Sequence, residues 1–172
     1  MSPILDQQTL ELVSQSPEQT RRIGASLAAL LTGGEVVGLQ GELGTGKTCL
    51  VQGMARGLGI TGPVTSPSFT LIQEHPVRRG AIRKLFHVDL YRLTRPLEEV
   101  EGIGLGEFLG APGTVTVIEW AERIETFLPR DRLWVRLEHL DPVKRMVRIQ
   151  GRGANSQALI QEFRRRLAGV RR

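Results

Sequence analysis

Eight residues, GELGTGKT at 41–48, constrain this chain more than any other stretch. They lie between an apolar run, Val36-Val37-Gly38-Leu39, and the stretch CLVQGMARGLG. Gly41, Gly46, Lys47 and Thr48 fill every fixed position of G-x-x-x-x-G-K-[ST]. Glycines let the backbone curl so that successive N–H groups point inward at phosphate oxygens. The helix that follows offers its unpaired N–H groups and positive dipole end to the same anion. Lys47 can reach the outer phosphates, and the Thr48 hydroxyl can hold Mg²⁺. Arginine outnumbers lysine 20 to 3, yet the residue at the position that needs a compact ammonium is lysine. The alternative, an ordinary strand-to-helix turn, requires none of these four identities. Gly41, Glu42, Leu43, Gly44, Thr45, Gly46, Lys47, Thr48 and Cys49 are therefore the candidate nucleotide contacts. Lys47 is also a candidate catalytic residue, and Cys49, just inside the helix, is expected to serve as a small packing residue.

The rest of the pattern fits an α/β chain. Thr9 to Val13 reads as a short strand. Ser16-Pro17-Glu18-Gln19 has the form of a helix start, with a Ser cap, Pro at the first position and Gln able to reach back to the cap. Ile23, Leu27, Leu30 and Leu31 recur at helical spacing until Gly33-Gly34. A second helix is expected from Lys47 to about Leu58, stopped at Gly59. Ser68 to Glu74 and Ile82 to Leu90 read as strands of an antiparallel hairpin with its turn near Arg79-Gly80. Pro96 to about Gly102 reads as a short acidic helix, and Thr114 to Trp120 as a buried parallel strand. Arg132 to Leu140 and Lys144 to Ile149 flank Asp141-Pro142 as a second hairpin. Asn155 or Ser156 is expected to cap a last helix through Leu167. The expected fold is a P-loop NTPase-like, three-layer α/β domain over residues 1–172, with a mixed, mainly parallel sheet and antiparallel hairpins.

Composition bounds the function classes. At 172 residues and 40% hydrophobic content the chain can build one core. No apolar run approaches the ~18–20 residues that cross a bilayer, so no membrane partner is expected. MSPILDQQTLEL shows no basic and apolar leader, so no signal peptide is expected. A single cysteine, Cys49, suits a reducing compartment, and a cytoplasmic location is expected. Residues 144–172 carry nine basic side chains and one acid, whereas residues 1–143 carry 14 and 17. Such asymmetry fits contact with nucleic acid or an acidic protein, or a solvated Arg-rich helix face.

Hydrolysis needs a carboxylate near the metal and a group that orients water. Asp89 ends the apolar stretch LFHVD, and Glu119 ends VTVIE. Strands beside the loop strand would deliver these acids toward the phosphates and Mg²⁺.

In their order and spacing, GELGTGKT, SPSFTLIQE, FHVDLYRL, EEVEGIGLGEFL and VIEW resemble the TsaE (YjeE) family of P-loop ATPases, over about residues 16–137. H-x-D-L-Y-R followed by E-W is far more specific than the loop alone. The resemblance implies ATP and Mg²⁺ as cofactors and a role in bacterial threonylcarbamoyladenosine synthesis on tRNA. It implies a two-subunit transferase assembly of TsaB- and TsaD-type proteins as the partner, reset by ATP hydrolysis, with tRNA reached indirectly. Activity without partners would be weak. Residue by residue, Thr48 resembles the Mg²⁺ hydroxyl ligand and Glu119 the acid that completes the metal site. Asp89 resembles the acid needed for hydrolysis, and Ser66 to Thr70 a switch-like loop. Trp120 resembles the tryptophan near the nucleotide, and Glu18-Gln19-Thr20 the segment near the adenine. Phe69 stands where the family often has Tyr.

Other features keep plainer readings. His87 is expected to be a structurally hydrogen-bonded strand-end histidine, because Asp89 suits metal chemistry better. Tyr91 and Arg92 are open between structure and contact, and Trp134 is expected to pack in the second hairpin. Two other functions compete. A small-molecule kinase would use the same loop with a lid of arginines, for which Arg78, Arg79 and Arg83 are available. A nucleic-acid-binding module would use the basic segment, though Phe163 is its only aromatic.

Overall fold

The computed structural model describes residues 6–170. The chain runs β1 (Thr9–Ser14), α1 (Pro17–Ala28), β2 (Val36–Gln40), α2 (Lys47–Gly57), β3 (Ile72–Arg79), β4 (Ile82–Asp89), α3 (Pro96–Gly102), β5 (Thr114–Glu119), β6 (Arg132–His139), β7 (Arg145–Arg152) and α4 (Ala154–Gly169). Two short 3₁₀ segments, Leu105–Glu107 and Ala121–Phe127, flank β5. The strands form one seven-stranded sheet in the order β1-β7-β6-β2-β5-β4-β3. β6, β2, β5 and β4 are parallel neighbours, and β7 and β3 run against them. β1 is antiparallel to β7 and so points with the central four, which makes five strands of seven run the same way. This is the expected mixed, mainly parallel sheet with a hairpin on each side.

Helices cover both faces. One face buries Leu27, Leu50, Met54, Val117, Val135, Ile160 and Phe163 under α1, α2 and α4. The other buries Val88, Leu90, Val100, Leu105, Ile118, Ile124 and Trp134 under α3 and the 3₁₀ segments. β5, with five of its six residues buried, is the continuous apolar strand expected of a sheet covered on both sides. None of the described helices is long and apolar enough to cross a membrane.

The α1–α2 contact sets where the loop sits. A Cβ at Gly53 would lie 1.9 Å from the Arg21 carbonyl oxygen, and one at Gly24 would lie 2.3 Å from that of Leu50. The two helices pack backbone against backbone, which only glycine permits. Ser16 caps α1 as expected, its Oγ accepting from Gln19 N at 3.1 Å. Gln19 reaches back to Gln15 N at 2.8 Å rather than to the cap residue. α1 stops at Ala28, earlier than its apolar spacing suggests, and Leu30 and Leu31 continue as tight turns bonded to Leu27 and Ala28.

Three other expectations need correction. Residues 68–71 are not strand but a turn, and β3 begins at Ile72. β7 extends to Arg152, beyond Ile149. α4 begins at Ala154, and its cap comes from neither Asn155 nor Ser156. Asp131, just before β6, accepts from Asn155 N at 2.9 Å, Ser156 N at 3.0 Å and Ser156 Oγ at 2.6 Å.

The basic segment is knitted into the fold. Arg148 pairs with Glu11 at 2.8 Å, Arg152 with Glu125 at 2.6 Å, and Arg164 donates to the Thr9 carbonyl at 2.5 Å. Arg165 and Arg166 pair with Glu162. Arg171 and Arg172 lie outside the described residues.

Candidate functional site

β2 delivers the loop at the end of the sheet where β4 and β5 also finish. In the parallel ladders Leu39 lies opposite Glu119, and Glu119 lies opposite Asp89. The two expected acids therefore stand side by side, one strand and two strands from the loop strand. Both are buried. α2 opens on Gly46, at φ 102°, a conformation that L side chains rarely adopt. The turn aims the first N–H groups of α2 into a cavity of about 430 Å³. Gly44, Gly46, Lys47, Thr48, Cys49, Ser66, Ser68, Asp89, Tyr91, Arg92, Glu119 and Trp120 line it, so chain positions more than 70 residues apart converge there.

The side chains inside are already engaged. Thr48 Oγ1 donates to Glu119 at 3.0 Å to Oε1 and 3.2 Å to Oε2. His87, expected to be structural, places Nε2 2.7 Å from Glu119 Oε1. Asp89 accepts from Ser68 Oγ at 3.1 Å, from Ser66 Oγ and, through Oδ1, from Tyr91 N at 3.0 Å. The 66–70 turn is thus tied to the acid, with Phe69 exposed at its tip.

Lys47 donates to the carbonyls of Gly41 at 2.5 Å and Glu42 at 2.9 Å, with Nζ 4.1 Å from the centre of the Trp120 ring. Burial pushes its ammonium below the usual lysine range, against the attraction of Glu119, Glu122 and Asp89. A cation held by loop carbonyls and a ring face can exchange these partners for the oxygens of an anion. Two residues past Trp120, burial raises the Glu122 carboxyl, and its Oε2 has no partner among the described residues.

The remaining expected residues fall as follows. Gly41, Glu42 and Thr45 line a separate cavity with Glu122 and Arg136, and Thr45 Oγ1 donates to the Glu42 carbonyl at 2.8 Å. Leu43 is exposed at the cavity rim. Thr20 is buried, its hydroxyl shared with Ser14 Oγ at 2.7 Å and its methyl facing Gly46, so it backs the loop with packing. Trp120 sits at φ 61°, in the left-handed region, and its ring lies 5.1 Å from that of Tyr91. The Arg92 guanidinium lies over Phe69 at 4.2 Å. Trp134 is buried as expected and donates to Gln40 Oε1 at 3.0 Å.

Two features escaped the sequence reading. Arg123 clamps the segment after Asp89, donating to the carbonyls of Leu90 at 2.5 Å, Tyr91 at 3.0 Å and Leu93 at 2.5 Å. Its position three residues past Trp120 was the available signal. The Ser66 and Ser68 hydroxyls on Asp89 are the other, because neither the strand expected from Ser68 nor the switch-like loop at Ser66 to Thr70 names a partner for them.

The arginines considered for a kinase lid are elsewhere. β4 starts beside the hairpin turn at Gly80 and ends at Asp89, so Arg78, Arg79 and Arg83 lie at the opposite end of the sheet. An eight-residue strand, at about 3.3 Å per residue, separates the two ends. Arg79 is spent on the carbonyls of Ala28, Ala29 and Gly57.

Comparisons with known proteins agree with one another. Residues 14–147 match the family model described as "Threonylcarbamoyl adenosine biosynthesis protein TsaE". The chain is similar to the tRNA threonylcarbamoyladenosine biosynthesis protein TsaE of Bacillus subtilis (strain 168), 37% identical over 150 residues that make up 87% of this chain and 90% of the relative. It is 44% identical to the Treponema pallidum (strain Nichols) protein of the same name over 131 residues, 76% of this chain and 93% of that one. Among solved structures it resembles the crystal structure of Bacillus subtilis YdiB, with a TM-score of 0.77 and 34% identity over 92% of this chain and 95% of that one. The chain belongs to the TsaE family of threonylcarbamoyladenosine biosynthesis proteins.

Proposed function

We propose that the protein is a Mg²⁺-dependent ATPase that serves threonylcarbamoyladenosine synthesis on tRNA by driving turnover of a two-subunit transferase assembly. The observation that carries this reading is the Thr48–Glu119 contact, with Asp89 beside it at the ends of adjacent strands. A threonine hydroxyl and a carboxylate are hard oxygen donors of the kind Mg²⁺ takes. Mg²⁺ usually binds through one or two protein oxygens plus phosphates and water, so Thr48 and Glu119 fit it without a larger protein cage. Bound there, the ion would neutralise charge on the β- and γ-phosphates.

In this reading the loop and the first N–H groups of α2 bind the phosphates. Lys47 leaves the Gly41 and Glu42 carbonyls to reach them, and Trp120 lies against the nucleotide. Asp89, held by three donors, orients the attacking water or a metal-bound water. Thr20 backs the loop on the side where the adenine would lie. The protein acts in the cytoplasm and reaches tRNA only through the TsaB- and TsaD-type assembly. Slow hydrolysis alone and faster hydrolysis with that assembly follow, because a partner completes the transition-state contacts.

The test is free phosphate released from ATP and Mg²⁺, with and without the transferase subunits. Stimulation by the subunits supports the reading. Transfer of phosphate to a small acceptor without free phosphate would establish the kinase instead.

A further inference from the structure

The Glu119 carboxylate has a second support behind it. His87 lies two residues before Asp89 on β4, so both side chains leave the same face of the sheet, as does Glu119 on the neighbouring strand. The His87 ring is wholly buried, and its Nε2 lies 2.7 Å from the same Oε1 that accepts from Thr48 at 3.0 Å. A carboxylate oxygen accepts, so the ring tautomer that fits this contact is the one that carries its proton on Nε2 and donates. Nδ1 has no partner among the described residues. Directly opposite in the ladder, Gln73 also holds a buried Oε1 without a partner. The single polar contact of this buried ring is thus spent on Glu119.

We infer that His87 is a positioning residue for the metal-side carboxylate, fixing the rotation of the Glu119 head group so that its remaining lone pairs face the ion or its water. The inference rests on the Mg²⁺-nucleotide reading. The physical need is plain, because the last torsion of a glutamate side chain is broad and loosely held. Mg²⁺ demands near-ideal octahedral geometry. A carboxylate free to turn would meet that demand in only part of its orientations, so an outer partner that locks it raises metal affinity. A histidine that merely filled the core would need no donor aimed at Oε1.

Gln and Asn substitutions separate the two roles, since both keep a buried amide. The Gln amide nitrogen reaches about where Nε2 stands, whereas Asn is one methylene short. Mn²⁺ binding is read from the electron paramagnetic resonance signal of the free aqua ion, in the presence of saturating ADP. ADP affinity in EDTA is measured on the same samples. His87→Gln is expected to stay within about threefold of the parent protein for Mn²⁺, and His87→Asn to lose roughly 10–100-fold. ADP affinity in EDTA is expected to be unchanged in both. Equal Mn²⁺ affinity of the Asn variant and the parent overturns the positioning role, and so does an equal loss in both variants. Failure of the parent protein itself to take up Mn²⁺ with ADP overturns the metal reading, and this inference with it.

Discussion

Thr48, the first residue after the loop lysine, donates its hydroxyl to both oxygens of Glu119, 71 positions further along the chain. That contact fastens the loop to the strand that ends in the acid. In the proposed reading Thr48 and Glu119 would hold Mg²⁺ through their oxygens, directly or through water, and the ion would supply positive charge beside the phosphates.

Thr48→Ala is therefore expected to bind ADP in EDTA as the parent does, but to lose the extra affinity that Mg²⁺ confers, by at least about tenfold or ~1.4 kcal/mol. Thr48→Ser, which keeps the hydroxyl, should restore most of it. Titrations with and without Mg²⁺ check this. An alanine variant with the full Mg²⁺ effect would remove Thr48 from the metal site.

Gly53→Ala should destabilise the fold and weaken nucleotide binding together. Its Cβ would meet the Arg21 carbonyl at 1.9 Å, a backbone atom that cannot swing aside, so α2 must move and take the loop with it. Overpacking of this kind costs about 1–3 kcal/mol, and each kcal/mol lowers Tm by ~2–4 °C in a domain of this size. Gly62→Ala, with open space around it, is the control. Thermal melts of the two variants decide the matter.

Asp131→Ala removes the cap of α4 and should cost about 1–2 kcal/mol at neutral pH. Burial alone would raise the Asp131 carboxyl, but the Ser156 hydroxyl and the N–H groups of Asn155 and Ser156 outweigh it and hold it below its ordinary 3.8. A carboxyl lowered on folding adds stability that is complete above the unfolded value and is lost as pH falls through the folded one. The gap between parent and variant should thus be constant from about pH 5 to 8 and shrink below pH 3.8. Urea midpoints at pH 7 and pH 3 test the sign.

What could be read from the chain was local chemistry. The P-loop needs no tertiary context, and Asp89 and Glu119 were visible because each ends an apolar run. What stayed hidden depends on partners far along the chain. Gly53 and Gly24 look like weak helix positions until α1 and α2 are laid against each other. Ser68 to Glu74 has strand-like composition, yet Ser66 and Ser68 turn to Asp89, 23 and 21 residues away, and Leu71 takes φ 66°. Asn155 and Ser156 looked like caps because the carboxylate that does the capping sits 24 residues earlier. The arginines of the last segment read as a charged face, whereas Arg148, Arg152 and Arg164 bind Glu11, Glu125 and the Thr9 carbonyl.

In the proposed function the Thr48–Glu119–Asp89 cluster hydrolyses ATP, and Asp89 acts on the water rather than on binding. Phosphate release and ATP affinity measured on the same preparations of the parent protein and Asp89→Ala test it most directly, in the presence of the transferase subunits. Asp89→Ala is expected to keep ATP affinity within about threefold of the parent and to lose turnover by roughly 10²–10⁴-fold. Normal turnover by Asp89→Ala would contradict it.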